Sequence, residues 1–342
     1  MNPPVSIIMP VYNCGQYLTA AIESILKQKF TDFELLIIYD RSSDASDEII
    51  DKYHKQDSRL RIHENRGLGI ISALNCGLDL AAGEFIARMD ADDISLPERI
   101  NSQYNLMKKN PECILCGTWY KYINEEDKVL SEIPLPEHDS EIKTLLAVSA
   151  VFAHGSVMFR RSALGNLRYS EAKPNFAEDY RLWTELAFRG RLAVIPEYLY
   201  HYREYSASLS QRVSRELASD TAAAGMEYLS KNREFIFSVL PQLLSRENLS
   251  LKSKKQKKYF FSLVQQLGIK LVLAEYLKPG WYVFFCSLRS GQARPLFMLK
   301  YLFSLAALLL HAPGVYENIE KKLIKFKKIF FVCIRHNSGS GV

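Results

Sequence analysis

The feature that most constrains this chain is an alternation that fills its first hundred residues. Short apolar runs of strand length take turns with stretches of helical periodicity. The runs are VSIIMPVY (5–12), FELLIIYD (33–40), LRIHEN (60–65) and EFIARMD (84–90). Between the first two, Leu18, Ala21, Ile22, Ile25 and Leu26 fall on one side of a helix expected over 15–29. Further helices are expected over 45–56, with Ser43 or Asp44 as N-cap, and over 68–81. Strands that alternate with helices of this length form a parallel sheet with helices on both faces. The runs are continuous rather than alternating, as expected for strands covered on both sides.

Farther along, Pro97 opens a helix whose face carries Ile100, Tyr104 and Met107. ILCGTWYKYI (114–123) reads as a strand and 179–189 as a helix. Residues 251–335 are mostly helical in pattern, basic and aromatic. The closing SGSGV looks like a linker or tag remnant.

In an open α/β sheet the ligand lies outside the carboxyl ends of the strands. The polar residues fall there: Tyr12-Asn13, Asp40, Asn65-Arg66, and Asp90 to Asp93. The first strand is followed by no GxGxxG, which disfavours a dinucleotide site. FIARMDADD (85–93) ends a buried strand on three aspartates within four positions. Such carboxylates repel one another unless a cation sits among them, and Mg²⁺ or Mn²⁺ takes carboxylate and phosphate oxygens together. A solvated acidic turn ahead of Pro97 is the plainer alternative. Likewise, Glu178-Asp179 at a helix start either favours the helix dipole or supplies a general base.

Composition excludes several classes. No stretch reaches the roughly 18 to 20 uncharged apolar residues of a membrane span, and the N-terminus has no signal-peptide pattern. The six cysteines are scattered, and the lone Cys113-x-x-Cys116 sits in an apolar run, so buried thiols in a reducing cytoplasm are expected. Charge is split along the chain. Beyond residue 250 there are 13 lysines and 3 arginines against 3 glutamates, a balance of +13; residues 1–250 carry 28 basic and 35 acidic residues, a balance of −7. LKSKKQKKYFF (251–261) and IEKKLIKFKKIFFVCIR (319–335) mix lysine clusters with apolar residues, the pattern of a helix on an anionic membrane surface. A helical bundle or homo-oligomer contact is the alternative, and nucleic acid is not expected as a partner.

PVYN at the first strand, Asp40 to Asp44 at the second, ENRGLGIISALNCGL (64–78) and ARMDADDISLPERINSQ (87–103) come in that order and spacing. Together they resemble the family 2 glycosyltransferases, inverting enzymes with the GT-A fold, over roughly residues 4–210. The resemblance implies a Rossmann-like, mostly parallel α/β sheet over 1–215. A helical, basic region over 216–336 follows, membrane-associating or oligomerising, and then the remnant over 337–342. It implies that Pro10, Val11 and Tyr12 line the nucleotide base and that Asp40 binds it. Asp90 and Ala91 then lie on the donor, and Asp92 on Mn²⁺ or Mg²⁺. Arg66 either faces the donor phosphates or is a surface residue at a helix start.

NFAEDYRLWTELAFRG (175–190) resembles the family's ED motif, which implies Asp179 as general base and Glu178 on the acceptor side. Trp183 either stacks on a sugar or packs in the core. HGSVMFRRS (154–162) resembles the preceding acceptor-side segment and brings in His154. In YREYSASLS (202–210), Arg203 matches an Arg-x-His that closes over the diphosphate, but Tyr205 stands where the His would be. Either His201 substitutes or the metal lacks that ligand. Tyr39-Asp40-Arg41 also departs from the family by placing Arg41 where a Gly is usual. The implied enzyme is an inverting hexosyl- or N-acetylhexosaminyltransferase, using a nucleotide sugar such as a UDP-sugar and a glycan or lipid-linked glycan acceptor. Its place would be the cytoplasmic face of the cell membrane, in surface-polysaccharide synthesis. The competing classes are a nucleotidyltransferase, disfavoured because PVYNCGQYL has no basic residue, and a non-catalytic carbohydrate- or membrane-binding protein.

Overall fold

The computed structural model describes residues 2–67, 69–171, 177–205, 208 and 214–244. The basic segments at 251–261 and 319–335, and with them the expected membrane surface, lie outside these residues. The first half follows the expected alternation: β1 (Val5–Val11), α1 (Gly15–Leu26), β2 (Phe33–Tyr39), α2 (Ser46–Gln56), β3 (Leu60–Glu64), α3 (Ile70–Leu80) and β4 (Phe85–Arg88). Then come β5 (Ile94–Ser95), α4 (Arg99–Lys109), β6 (Cys113–Ile123), β7 (Val129–Ile133) and α5 (Asp139–Leu145). A 3₁₀ turn (His154–Ser156), β8 (Met158–Arg160), α6 (Arg161–Leu164), α7 (Glu178–Leu186), β9 (Arg191–Arg203) and α8 (Ser214–Leu244) follow.

One mixed sheet runs in the order β3-β2-β1-β4-β8-β6-β9-β5, with β7 paired to β6. The strands from β3 to β4 are mutually parallel, Ile7 aligning with Leu35 and with Ala87. Beyond them β8 is antiparallel to both β4 and β6, while β9 runs parallel to β6. The α/β, GT-A class expected from the sequence is the fold observed. Chain order reverses between β1 and β4, so the switch-point crevice opens where these two strands end. The loops there are Tyr12-Asn13 and Asp90 to Asp93.

Both faces of the parallel strands are covered, which is why their sequences read as unbroken apolar runs. Ile7, Met9, Leu35 and Ile37 pack in one core with Leu18, Ala21, Ile22 and Ile25 of α1. On α3, Gly77 lies against β1: a Cβ there would come within 2.4 Å of Ile8 Cγ2. Cys14, Cys113 and Cys116 are buried free thiols, as expected.

Two boundaries differ from the sequence expectation. Helix α3 begins after Gly69, whose φ of +83° is a conformation that only glycine adopts at little cost. At α2 the N-cap position is Ala45, and Asp44 works one residue earlier than a cap. Its carboxylate accepts from the Ser46 N–H at 3.0 Å and from the Gly15 N–H at 2.8 Å, so it ties together the starts of α1 and α2. Among the described residues no helix is long and apolar enough to cross a membrane.

Helix α8 packs along α5 and α7. Phe188 and Tyr228 meet with ring centroids 5.4 Å apart, and Lys231 reaches Glu185 at 3.2 Å.

Candidate active site

The floor of the crevice is built by the loops after β1, β2 and β3. Asn13 crosses from the first to the second, accepting from the Ser43 N–H at 2.8 Å, while its own N–H reaches Ser42 Oγ at 3.1 Å. Asp40 uses Oδ2 to accept from the Gly69 N–H at 2.8 Å. Its Oδ1 is buried without a partner. An unsatisfied carboxylate oxygen is costly, so this atom is a ready acceptor for an N–H of a ligand. Tyr12, which follows the Val11 whose carbonyl accepts the Asp40 N–H at 3.0 Å, is 62% exposed, whereas Val11 is buried in the core and offers the crevice no side chain. Pro10 is half-buried and Arg66 exposed. Arg41, the departure from the family pattern, turns outward and pairs with Glu64 at 2.9 Å, leaving Asp40 in place.

The three aspartates after β4 meet three different fates. Asp90 pairs through Oδ1 with Arg88 at 2.7 Å. Ala91 is buried. Asp92 accepts from the Tyr205 hydroxyl at 2.9 Å. Burial, and then the negative charge of Asp90, push its carboxyl up to about 6. Asp93 is buried behind the site, where it accepts from the Tyr200 hydroxyl at 2.6 Å and the Arg203 N–H at 2.7 Å. Asp93 therefore fixes the loop to β9, and the acids left for chemistry are Asp90 and Asp92.

Arg88 escaped sequence reasoning. It is only 2% exposed, donates to the carbonyl oxygens of Ile8 and Met89, and its Nε is buried without a partner. Its charge also holds down the carboxyls of Asp92, Glu178 and Asp179. One buried cation thus serves acids from two motifs about 90 residues apart in sequence. Arg99, also buried, braces the same loop by donating to the carbonyl oxygens of Arg88 at 3.0 Å and Gly155 at 2.8 Å.

Glu178 and Asp179 open α7. Asp179 accepts from the Tyr180 N–H at 2.6 Å. Burial raises its carboxyl to about 6, Asp90 adding to the rise and Arg88 opposing it. Burial and the Asp179 charge raise Glu178 to about 8. Buried side by side, the two carboxyls resist ionising together. His154 stands beside them, with Nδ1 3.8 Å from Glu178 Oε1 and Nε2 3.0 Å from the Tyr169 hydroxyl. Burial, then Arg88, hold its pKa well below the ordinary value, so it is a neutral hydrogen-bonding group. Next to it Gly155 has no room for a side chain: a Cβ would lie 1.7 Å from Tyr200 Oη and 2.6 Å from Asp90 Oδ2.

Trp183, Arg203 and His201 complete the residues singled out in the sequence. Trp183 is fully buried among Phe152, His154 and Phe159, so it is a core residue and no sugar-stacking platform. Arg203 is buried and already engaged. It donates to the carbonyl oxygens of Asp92 at 2.8 Å and Asn124 at 2.9 Å and pairs with Asp127 at 2.6 Å, so it positions the Asp92 backbone. The charged groups around His201 are Lys121, Asp127 and Arg203. The side-chain contact with Asp92 is made by Tyr205, whose hydroxyl donates to it.

The arrangement brings together an unpartnered carboxylate oxygen at Asp40, the acids after β4 and the acids that open α7. Residues 6–168 match the family described as glycosyl transferase family 2. The chain is 34% identical over 207 residues to the uncharacterized glycosyltransferase MJ1057 of Methanocaldococcus jannaschii, covering 59% of this chain and 71% of that protein. It is 33% identical over 184 residues to the O-antigen biosynthesis glycosyltransferase WbnJ of Escherichia coli, covering 53% and 71%. The crystal structure of S. aureus TarS 1–349 in complex with UDP-GlcNAc shares the fold, with a TM-score of 0.52 and 19% identity over 85% of this chain and 93% of that one. Relatives sharing a third of their residues over most of their own length leave one assignment: this chain belongs to glycosyltransferase family 2 and is a glycosyltransferase.

Proposed function

We propose that the enzyme is an inverting, metal-dependent transferase. It would move a sugar from a nucleoside diphosphate, UDP in the first instance, to a hydroxyl of a glycan or lipid-linked glycan in surface-polysaccharide synthesis. The observation that carries this reading is the convergence of Asp90 and Asp179 on the buried cation Arg88. It makes one cleft of the donor side and the acceptor side. A relative and a structural neighbour point the same way: WbnJ is an O-antigen biosynthesis glycosyltransferase, and TarS was crystallised with UDP-GlcNAc.

Asp40 Oδ1 would accept the N–H of the base. Asp92 would hold Mn²⁺ or Mg²⁺ together with diphosphate oxygens, and the ion would neutralise charge developing on the leaving diphosphate. The residues fit this limited role. No group of three or more metal-ligating side chains occurs among the described residues, so the protein supplies few ligands and the donor the rest. Asp92 is also a carboxylate short of positive charge, raised to about 6 by burial and by Asp90. Asp179 takes the proton of the acceptor hydroxyl, a weak nucleophile until that proton leaves. Attack then comes from the face opposite the departing diphosphate, so an α-linked donor gives a β-linked product. Glu178, whose carboxyl burial and the Asp179 charge push upward, and His154 would orient the acceptor through hydrogen bonds.

The test is a panel of nucleotide sugars with Mn²⁺ and a lipid-linked glycan extract, with the product anomer read by NMR. Consumption of one donor with a β product supports the proposal; a retained anomer, or no turnover of any donor, overturns it. For the segment 251–335 we propose attachment to anionic membrane, supported by its +13 balance at roughly 1 kcal/mol per surface charge. Co-flotation with anionic and not with neutral vesicles is the expected result.

A further inference from the structure

The acids that open α7 have no local cap. The N-cap residue is Ala177, which offers no side-chain acceptor. Its N–H is nevertheless satisfied, by Asp220 Oδ2 on α8 at 3.0 Å. The other oxygen of the same carboxylate accepts from Arg181 Nη2. Asp220 is buried, and it reaches across between helices to grip the residue before Glu178-Asp179 and the residue two after them. Arg181 in turn closes the first helical turn, its N–H donating to the Ala177 carbonyl at 3.0 Å.

We infer that Asp220 is a positioning residue for the reaction, setting the placement of the Asp179 carboxylate from a helix outside the matched family region. This rests on the reading of Asp179 as the base. The rest of the α7–α8 contact does not need it. Phe188 against Tyr228 and Lys231 with Glu185 lie toward the far end of α7 and hold the helices together independently. The functional consequence is specific to the amino end. Without Asp220 the Ala177 N–H loses its acceptor and Arg181 keeps only its longer, exposed pairing with Glu227 at 3.6 Å, so the first turn of α7 is held less tightly. A misplacement of about 1 Å at a reacting group costs on the order of 10²-fold in rate. A carboxylate near a helix amino terminus also opposes the partial positive charge there, which adds to the hold.

The experiment compares the full chain with D220A, D220N, D179N and the double variant D179N/D220A, reading kcat, donor KM and melting temperature. The expected result is a loss in kcat on the order of 10- to 100-fold for D220A. D220N, which keeps an acceptor for the Ala177 N–H, loses less. Donor KM stays within about twofold in both, because the donor-side acids are untouched. The double variant is no slower than D179N, because Asp220 acts through Asp179. If D220A does not fold, the same comparisons are made with D220N. A kcat equal to wild type in D220N and D220A overturns the inference, as does a D220A loss that multiplies with that of D179N or appears equally in donor KM. If D179N itself keeps wild-type kcat, it is the reading of the base that fails.

Discussion

Replacing Gly155 by alanine tests the packing behind the acidic cleft with one methyl group. The added Cβ would stand 1.7 Å from Tyr200 Oη, 2.5 Å from its Cζ and 2.6 Å from Asp90 Oδ2. None of these can retreat at little cost. Tyr200 is fully buried and its hydroxyl holds Asp93 at 2.6 Å. The Gly155 carbonyl is held by Arg99 at 2.8 Å, which resists movement of the backbone instead. Overpacking a buried site costs about 1–3 kcal/mol, and breaking the Tyr200–Asp93 hydrogen bond about another 1–3 kcal/mol. For a domain of this size each kcal/mol lowers the melting temperature by roughly 2–4 °C, so G155A should melt about 4–24 °C lower. At a temperature where it remains folded, donor KM should rise, because the same methyl displaces Asp90 from Arg88. Y200F removes the nearest atom, so G155A/Y200F should lose less stability than the sum of the single variants. Calorimetry and steady-state kinetics on the three proteins decide the matter. An unchanged melting temperature and donor KM in G155A would refute the described packing.

The pH profile gives a second prediction. Asp179 works deprotonated and its carboxyl stands at about 6, so kcat should fall as pH drops through that value. Because folding raises this carboxyl, its charged form destabilises the protein above that range. D179N should therefore melt higher than wild type at pH 8, with the gap narrowing as pH falls below about 6 and closing only below the ordinary value of 3.8, while kcat falls by about 10²- to 10⁴-fold. Arg88 holds down Glu178 and Asp179 as well as pairing with Asp90, so R88M should move the acidic limb of the kcat profile upward. It should also destabilise by about 3 kcal/mol as a broken buried pair. A limb unmoved in R88M would show that the cation does not govern the base.

The parallel half of the sheet was legible because β1 to β4 are covered on both faces, and burial of that kind writes itself as unbroken apolar runs. The positions of Asp40, Asp90, Asp92 and Asp179 followed from strand and helix ends and from the family motifs. What sequence reasoning missed depended on partners far along the chain. Asp93 is the same residue type as Asp90 and Asp92, and only Tyr200 and Arg203, more than a hundred residues on, make it structural. Arg88 interrupts FIARM, and a charge inside a strand buried on both faces was itself a signal that a buried anion stands nearby. Trp183 lies three residues from both Tyr180 and Leu186, all buried on one face of α7, and this burial decides between its two readings in favour of the core. Asp220 carried no motif at all; only the docking of α8 reveals it.

The central claim is that Asp92 serves the donor and its metal while Asp179 serves the acceptor. Titration calorimetry of UDP into wild type, D92N and D179N, each with and without Mn²⁺, tests it most directly. The account predicts that UDP binding to wild type depends on Mn²⁺, that D92N loses this dependence together with most of the affinity, and that D179N binds UDP as wild type does while failing to transfer sugar. Metal-dependent UDP binding that survives in D92N, or is lost in D179N, would contradict it.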